Sequence, residues 1–142
     1  MKIAIASDHG GLALKEAIKN HYTNKKIEDL GTFSTASVDY PDIAYLMVQA
    51  IKQNKTDLGI LICGTGIGIS IAANRYKGIR AALIYSQETA KLAKQHNNAN
   101  IMVFGGRTMA VNDVINYIDT FLNSEYEGGR HQNRIDKLDK LG

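Results

Sequence analysis

The sequence predicts a single α/β domain, residues 1–142, in which a parallel sheet is covered by helices on both faces. Short apolar runs alternate with segments of helical periodicity from one end of the chain to the other. This alternation is typical of parallel strands joined by crossover helices. A length of 142 residues suits about one domain, and the sequence contains no internal repeat, low-complexity segment or linker.

Five apolar runs are the predicted strands, and the segments between them are predicted helices. The strands are Ile3 to Ser7, a weaker run from Lys26 to Leu30, Leu58 to Cys63, Ala81 to Tyr85 and Ile101 to Phe104. Helical spacing relates Leu14, Ala17, Ile18 and His21, then Ile43, Met47, Ala50 and Ile51, and finally Val111, Val114, Ile115, Ile118, Phe121 and Leu122. The only proline, Pro41, fits the first turn of the second of these helices.

Composition and charge argue against several classes of function. The 17 basic and 14 acidic residues leave a net charge of +3, too small to indicate a nucleic-acid partner without a block of Lys and Arg. No apolar run approaches the roughly 20 residues of a membrane span, and the first one is too short for a signal peptide. A single cysteine excludes an internal disulfide and suits a reducing compartment. We therefore expect a cytoplasmic protein with no nucleic-acid or membrane partner.

The only cysteine stands where a buried strand meets a glycine turn. After Cys63 come Gly64, Thr65, Gly66, Ile67 and Gly68, and a predicted helix runs from Ile69 to Asn74. A strand–turn–helix of this kind directs backbone N–H groups and the positive end of a helix dipole at one small volume. The glycines allow a ligand to approach the backbone closely. The turn is therefore a candidate site for an anion or a developing oxyanion, with the Cys63 thiol and the Thr65 hydroxyl beside it.

Spacing alone leaves other interpretations of this turn open. A lone cysteine at a strand end is often a small buried hydrophobe. A dinucleotide site requires G-x-G-x-x-G, whereas the third glycine here, Gly68, comes one residue early. The position about twenty residues further on, Glu88, is predicted at a helix start instead of a strand end. The chain has no G-K-[ST] sequence, which excludes a P-loop.

Polar or glycine-rich segments follow three of the predicted strands, namely residues 8–11, 63–68 and 105–107. Ligands of open α/β sheets bind beyond the carboxyl ends of the strands, so these segments are predicted to share one site. His96 and Asn97 precede the fifth strand instead, so the topology places them at the opposite edge of the sheet. They reach the predicted site only on a neighbouring subunit, or through unusual packing.

Six segments between the first strand and the tail form a specific set. They are Ser7-Asp8-His9-Gly10-Gly11, Asp39-Tyr40-Pro41, Cys63-Gly64-Thr65-Gly66-Ile67-Gly68, Ile71-Ala72-Ala73-Asn74, His96-Asn97 and Glu127-Gly128-Gly129-Arg130-His131-Gln132. As a set they resemble the family that ribose-5-phosphate isomerase B shares with galactose-6-phosphate isomerase. The resemblance implies a Rossmann-like α/β/α sandwich with a five-stranded parallel sheet, and interconversion of ribose 5-phosphate and ribulose 5-phosphate. It also implies a homodimer or dimer of dimers with shared active sites, which accounts for His96.

The resemblance further implies roles for individual residues. Cys63 corresponds to the base that abstracts a proton, and His96 to the acid/base that opens the sugar ring; Thr65 is a candidate to donate or relay a proton. The substrate-binding positions correspond to Asp8, His9, Tyr40, Gly64, Gly66, Ile67, Gly68, Asn97, Arg107, Arg130 and Arg134. One branch of the family replaces the cysteine with a glutamate a few residues later. Ile69 stands at that later position here, so the chain resembles the cysteine branch.

The residue types suit an aldose–ketose isomerisation. Cys63 serves as a base in its thiolate form, which a helix N-terminus favours, and the N–H groups of the turn suit an enediolate oxygen. An imidazole such as that of His96 exchanges protons near neutral pH. Arg130 and Arg134 share a helical face if they lie on one helix, which suits a phosphate but is also common on solvated faces. Asp8 fits a sugar hydroxyl and equally fits a helix cap.

Neither a cofactor nor a metal is expected. The sequence has four histidines, and we find no ligand-like cluster of them with acidic residues. We therefore expect a metal-free enediol mechanism on a small sugar phosphate. The alternatives are a galactose-6-phosphate isomerase, which works with two kinds of subunit, and a non-catalytic module that binds a sugar phosphate.

Overall fold

A computed structural model of the chain describes residues 1–141 and shows one five-stranded parallel sheet. The strands are β1 (Ile3–Ser7), β2 (Ile27–Asp29), β3 (Leu58–Cys63), β4 (Ala81–Leu83) and β5 (Ile101–Gly105), in the order β2-β1-β3-β5-β4. Every neighbouring pair is parallel. The predicted fold class is confirmed, and the carboxyl ends of all strands lie at one edge of the sheet.

Five of the six α-helices within residues 1–141 cover the sheet, which makes the fold an α/β/α sandwich. The six helices are α1 (Leu12–His21), α2 (Tyr40–Lys52), α3 (Ile67–Ala73), α4 (Gln87–Gln95), α5 (Val111–Leu122) and α6 (Arg130–Leu138). Side chains of α1, α4 and α5 bury one face, and those of α2 and α3 the other. Along β1, Ile3 and Ile5 enter the first of these cores and Ala4 and Ala6 the second, as strand alternation requires. None of the helices within residues 1–141 is long and apolar enough to cross a membrane.

The observed elements differ from the predicted ones mainly at their ends. β2 and β4 have three residues each, shorter than the predicted runs, because both are edge strands with a single neighbour in the sheet. β5 extends one residue further, to Gly105, where it pairs with Cys63 of β3. Helix α3 begins at Ile67 instead of Ile69. As a result, the glycine turn and the end of β5 lie next to each other.

A buried ion pair holds β2 against α1. Lys15 is fully buried, and its Nζ donates to Oδ1 of Asp29 over 2.7 Å and to the carbonyl oxygen of Thr32 over 2.6 Å. Lys19 Nζ donates to the other carboxylate oxygen of Asp29 over 2.8 Å. Burial opposes the charge of Asp29, but the hydrogen bonds from the two lysines and from the Gly31 N–H outweigh it and hold the pKa of Asp29 below its ordinary value. The pair therefore stabilises the fold as an ionised unit.

We expect Asp29→Asn to lower the free energy of unfolding at pH 7 by about 3 kcal/mol, because it leaves the Lys15 ammonium buried without its counterion. The folded pKa of Asp29 is depressed, so its stabilising contribution is present above the unfolded pKa of about 4 and is lost as the pH falls through the folded pKa. The difference in the free energy of unfolding between variant and parent, measured by urea unfolding, should therefore become smaller below about pH 4. Glu28→Gln, at an exposed position on the same strand, is the control and should change stability by less than about 0.5 kcal/mol. An unchanged stability of Asp29→Asn at pH 7 would contradict this interpretation.

Candidate active site

The thiol of Cys63 is held inside the turn that joins β3 to α3. The backbone N–H of Gly66 donates to Sγ over 3.2 Å, and Cys63 is only 5% exposed. Gly66 has a φ of +81°, and a Cβ there would lie 2.7 Å from the Leu83 side chain and 3.0 Å from the Phe104 backbone. Only glycine fits both the conformation and the space. The turn therefore fixes the sulfur beside backbone donors at the start of α3.

The segment after β5 closes one side of this turn. The N–H of Gly106 donates to the Cys63 carbonyl over 2.8 Å, and the N–H of Arg107 donates to the Gly64 carbonyl over 2.9 Å. A Cβ on Gly64 would lie 3.4 Å from Nη1 of Arg107, and one on Gly10 would lie 3.3 Å from its Cζ. The guanidinium therefore lies across the two glycine segments. Arg107 is exposed and provides a positive charge at the mouth of the site.

Asp8 and His9 reach the same edge of the sheet from the end of β1. Asp8 is buried, and its Oδ1 accepts from the N–H groups of Gly10 and Gly11 over 2.9 and 3.2 Å. The capping role considered for Asp8 is therefore present in the structure. Nδ1 of His9 accepts from the Val38 N–H over 3.2 Å, so Nε2 carries the proton of the neutral ring and remains a donor.

Three further predicted residues lie in the turn or beside it. Tyr40 begins α2, and a Cβ on Gly68 would lie 2.7 Å from Cζ of its ring, so the ring packs directly on that glycine. Thr65 is exposed, and its Oγ1 accepts from the Ile67 N–H over 3.2 Å. Ile67 is itself 54% exposed. The structure therefore gathers the predicted residues of the strand ends, together with Tyr40 and Ile67, around Cys63 at the carboxyl edge of the sheet.

The remaining predicted residues lie elsewhere, between the end of α4 and α6. His96 follows α4 directly, and a cavity of about 240 Å³ is lined by His96, Asn97, His131, Arg134, Ile135 and Leu138. The rings of His96 and His131 stack with centroids 4.2 Å apart. Arg130 and Arg134 are both exposed, and they lie one turn apart on α6, as their spacing predicts. This second group contains the predicted ring-opening histidine and the predicted phosphate ligands.

The two groups lie at opposite edges of the sheet in a single chain. His96 comes five residues before β5, whereas the last residue of β5, Gly105, pairs with Cys63. From Ile101 to Gly105, β5 has four residue steps, which span roughly 13 Å. One subunit therefore contains both sets of predicted residues but does not bring them together. The opposite-edge placement predicted for His96 and Asn97 is confirmed.

Residues 3–138 of the chain match the model of a protein family described as Ribose/Galactose Isomerase. The chain belongs to this family. The resemblance carried by the six sequence segments is thereby confirmed. Membership of the Ribose/Galactose Isomerase family covers nearly the whole chain, including both edges of the sheet and α6.

Relatives within the Ribose/Galactose Isomerase family are close along their whole length. A probable ribose-5-phosphate isomerase B of Mycoplasma genitalium is 49% identical over 140 residues, covering 96% of this chain and 92% of the relative. The crystal structure of a ribose 5-phosphate isomerase from Thermotoga maritima has a TM-score of 0.96 and 53% identity, covering 99% of this chain and 98% of that one. The structure of ribose-5-phosphate isomerase B from Mycoplasma genitalium with bound ribulose-5-phosphate has a TM-score of 0.92 and 48% identity, covering 98% of this chain and 94% of that one.

Two residues without a predicted role, Glu127 and His131, join His96 in the second group. Oε1 of Glu127 lies 3.6 Å from Nε2 of His96 and 3.7 Å from Nε2 of His131. Burial, followed by the positive charges of His96 and Arg130, holds the pKa of His131 below its ordinary value. The expectation that no histidine clusters with an acidic residue is therefore wrong. The sequence signal was the four-residue spacing of Glu127 and His131, which two intervening glycines obscured.

Proposed function

We propose that the chain is an aldose–ketose isomerase that interconverts D-ribose 5-phosphate and D-ribulose 5-phosphate through an enediolate, without a cofactor. The observation that carries this proposal is the Cys63 thiol fixed in a glycine turn at the carboxyl edge of the sheet. The related structure with bound ribulose-5-phosphate supports the choice of substrate, because this chain matches 94% of it at 48% identity. A reducing cytoplasm suits an enzyme that depends on a free thiol.

In this mechanism Cys63 moves the proton that distinguishes aldose from ketose. Its thiolate takes the proton from C2 of the open-chain aldose, and the electrons of that bond form the enediolate. Backbone N–H groups of residues 64–68 stabilise the developing oxygen charge. The O2 proton then moves to O1 through the exposed hydroxyl of Thr65, and return of the thiol proton to C1 yields the ketose with its carbonyl at C2.

The active site is completed by a second copy of the chain, in a homodimer or a dimer of dimers. His96 of that copy donates a proton to the ring oxygen while solvent water takes the O1 hydroxyl proton, which opens the furanose. Asn97, Arg130 and Arg134 of the same copy bind the sugar and its phosphate, opposite Asp8, His9, Tyr40 and Arg107. The separation of the two groups within one chain, by roughly 13 Å of β5, supports this arrangement.

Exposed apolar side chains beside the glycine turn also support a second copy. Ile67 and Ile71 lie one turn apart on α3 and are 54% and 59% exposed. Such a patch next to a polar site is typical of a protein–protein interface. Contact with a second copy buries these side chains and brings its α6 towards Cys63.

The proposal is tested by assaying the purified chain alone on ribose 5-phosphate and on galactose 6-phosphate, with no metal or cofactor added. We expect turnover of ribose 5-phosphate and a much lower rate on the six-carbon sugar. Binding of ribose 5-phosphate without turnover would favour a non-catalytic module. Preferential turnover of galactose 6-phosphate would favour the other activity for which the family is named.

We expect Arg130→Ala and Arg134→Ala each to weaken ribose 5-phosphate binding by about 1.5–3 kcal/mol, or roughly 10- to 150-fold, because each removes a charge-assisted hydrogen bond to the phosphate. The measurement is KM together with equilibrium binding of ribose 5-phosphate. Lys137→Ala removes another exposed cation of α6 and should leave both unchanged. If these variants lost affinity equally for ribose 5-phosphate and for phosphate-free ribose, the two arginines would not be phosphate ligands.

A further inference from the structure

The cluster of His96, Glu127 and His131 has the composition and spacing of a metal site. One ligand atom of each residue lies within 4.8 Å of the other two, and the Glu127 oxygen is 3.6 and 3.7 Å from the two Nε2 atoms. Ligand atoms about 2.0–2.1 Å from a tetrahedral zinc ion lie roughly 3.3–3.5 Å from one another. A rotation of the partly exposed His96 ring, with smaller movements of the other two side chains, brings all three atoms within bonding distance of one ion.

A second, independent observation points to a ligand at this place. Nε2 of His131 is buried and has no hydrogen-bond partner among the described residues, and the side chain is only 7% exposed. A buried polar atom without a partner costs free energy, so native structures rarely leave one unexplained. The Glu127 oxygen nearest to it is beyond hydrogen-bonding distance at 3.7 Å. A cation between the two would satisfy both atoms.

Backbone hydrogen bonds hold the three residues close together. The N–H of Glu127 donates to the carbonyl of Gln95 over 3.0 Å, which ties the acidic residue to the one immediately before His96. The N–H of His131 donates to the Gly128 carbonyl over 3.2 Å, and the two imidazole planes are within 16° of parallel. The lone pair of each Nε2 lies in its own ring plane, so two near-parallel rings cannot both point at one ion. Binding of an ion therefore requires the partly exposed His96 ring to turn out of the stack, whereas the buried His131 ring stays in place.

We propose that His96, Glu127 and His131 bind a zinc-like divalent cation, with the fourth position open to water. Two imidazoles and one carboxylate with an open position form a known zinc ligand set, whereas magnesium and calcium prefer oxygen ligands. The nearby cations Arg130 and Arg134 oppose binding of the ion, so we expect a dissociation constant of about 10⁻⁶ M. A zinc ion bound to Nε2 of His96 prevents that nitrogen from acting on the sugar phosphate, so the two ligands compete. This competition rests on the proposed function, whereas the metal site itself does not.

The direct test is titration of the full-length, metal-free protein with zinc sulfate by calorimetry, and with cobalt chloride by visible absorption, which reports a tetrahedral site. We expect one ion per chain in the parent. Glu127→Gln and His131→Asn should each weaken zinc binding by at least about 100-fold, because each removes one of three ligands. Glu125→Gln and His21→Asn, at exposed positions outside the cluster, are the matched controls and should bind as the parent does.

Glu127→Gln keeps the size of an exposed side chain, so its result stands even if His131→Asn disturbs the packing of α6. No zinc binding by the parent, or parent-like binding by Glu127→Gln, would overturn the site. Weaker zinc binding in the presence of ribose 5-phosphate would support the shared use of His96. Unaltered zinc binding in the presence of saturating ribose 5-phosphate would leave the metal site standing and count against His96 as a residue of the sugar site.

Discussion

Cys63→Ala is expected to lower kcat for ribose 5-phosphate by about 10²-fold or more, because it removes the positioned base that takes the C2 proton. The side chain is small and ends a strand, so the fold and the binding of the sugar phosphate should be nearly unchanged. The measurement is kcat in a coupled assay, with thermal unfolding and equilibrium binding of ribose 5-phosphate as controls. Alkylation of the Cys63 thiol in the parent should also abolish activity, and bound ribose 5-phosphate should protect the thiol from alkylation.

The alternative interpretation is that Cys63 is a small buried hydrophobic residue that completes the core. That alternative predicts a loss of stability with little loss of kcat, since the core around α2 and α3 also includes Cys63. An alanine variant that unfolds more easily but turns over at the parent's rate would therefore show that the assigned base is wrong.

Mixing two inactive variants is expected to restore activity. In Cys63→Ala every site lacks the base, and in His96→Asn every site lacks the ring-opening group, so each variant alone should be at least about 10²-fold below the parent. A mixed dimer has one site with both groups intact and one with neither. Random pairing therefore gives about one quarter of the parent's activity in a two-fold symmetric dimer. The variants are combined by co-expression or by refolding together, and the rate is measured on ribose 5-phosphate.

A mixture of Cys63→Ala with Thr65→Ala is the matched control. Both changes lie at the same edge of the sheet, so no pairing of these two subunits yields an intact site. This control should stay at the level of the two separate variants. The mixture of Cys63→Ala with His96→Asn should exceed its two separate variants in activity. If it does not, the sites are not shared between subunits.

The carboxyl-edge part of the candidate site was predictable because it follows from local patterns. An apolar run that ends at Cys63, and glycines that follow it, specify a strand and a turn without reference to the rest of the chain. The start of α3 was predicted two residues late, because the left-handed Gly66 caps the helix and the exposed Ile67 hides its periodicity. That φ value depends on the packing of Gly66 against Leu83 and Phe104, which spacing does not reveal.

The second group was less accessible to sequence reasoning because its contacts are long-range. Helical periodicity does not extend from Glu127 to His131, since Gly128 and Gly129 both have positive φ and α6 begins only at Arg130. The stacking of His131 on His96 depends on how α6 folds back onto the end of α4. The sequence alone also does not show which surface meets a second copy, since the exposure of Ile67 and Ile71 is visible only in the folded chain.

The length of β5 has a consequence for how activity depends on the amount of protein. Under the shared-site proposal, this strand keeps Cys63 and His96 of one subunit too far apart to act on the same sugar, so a dissociated subunit has every required group and no working site. Specific activity should then fall on dilution below the dimer dissociation constant. The same geometry lets a subunit defective at both edges inactivate both sites of any partner that it joins.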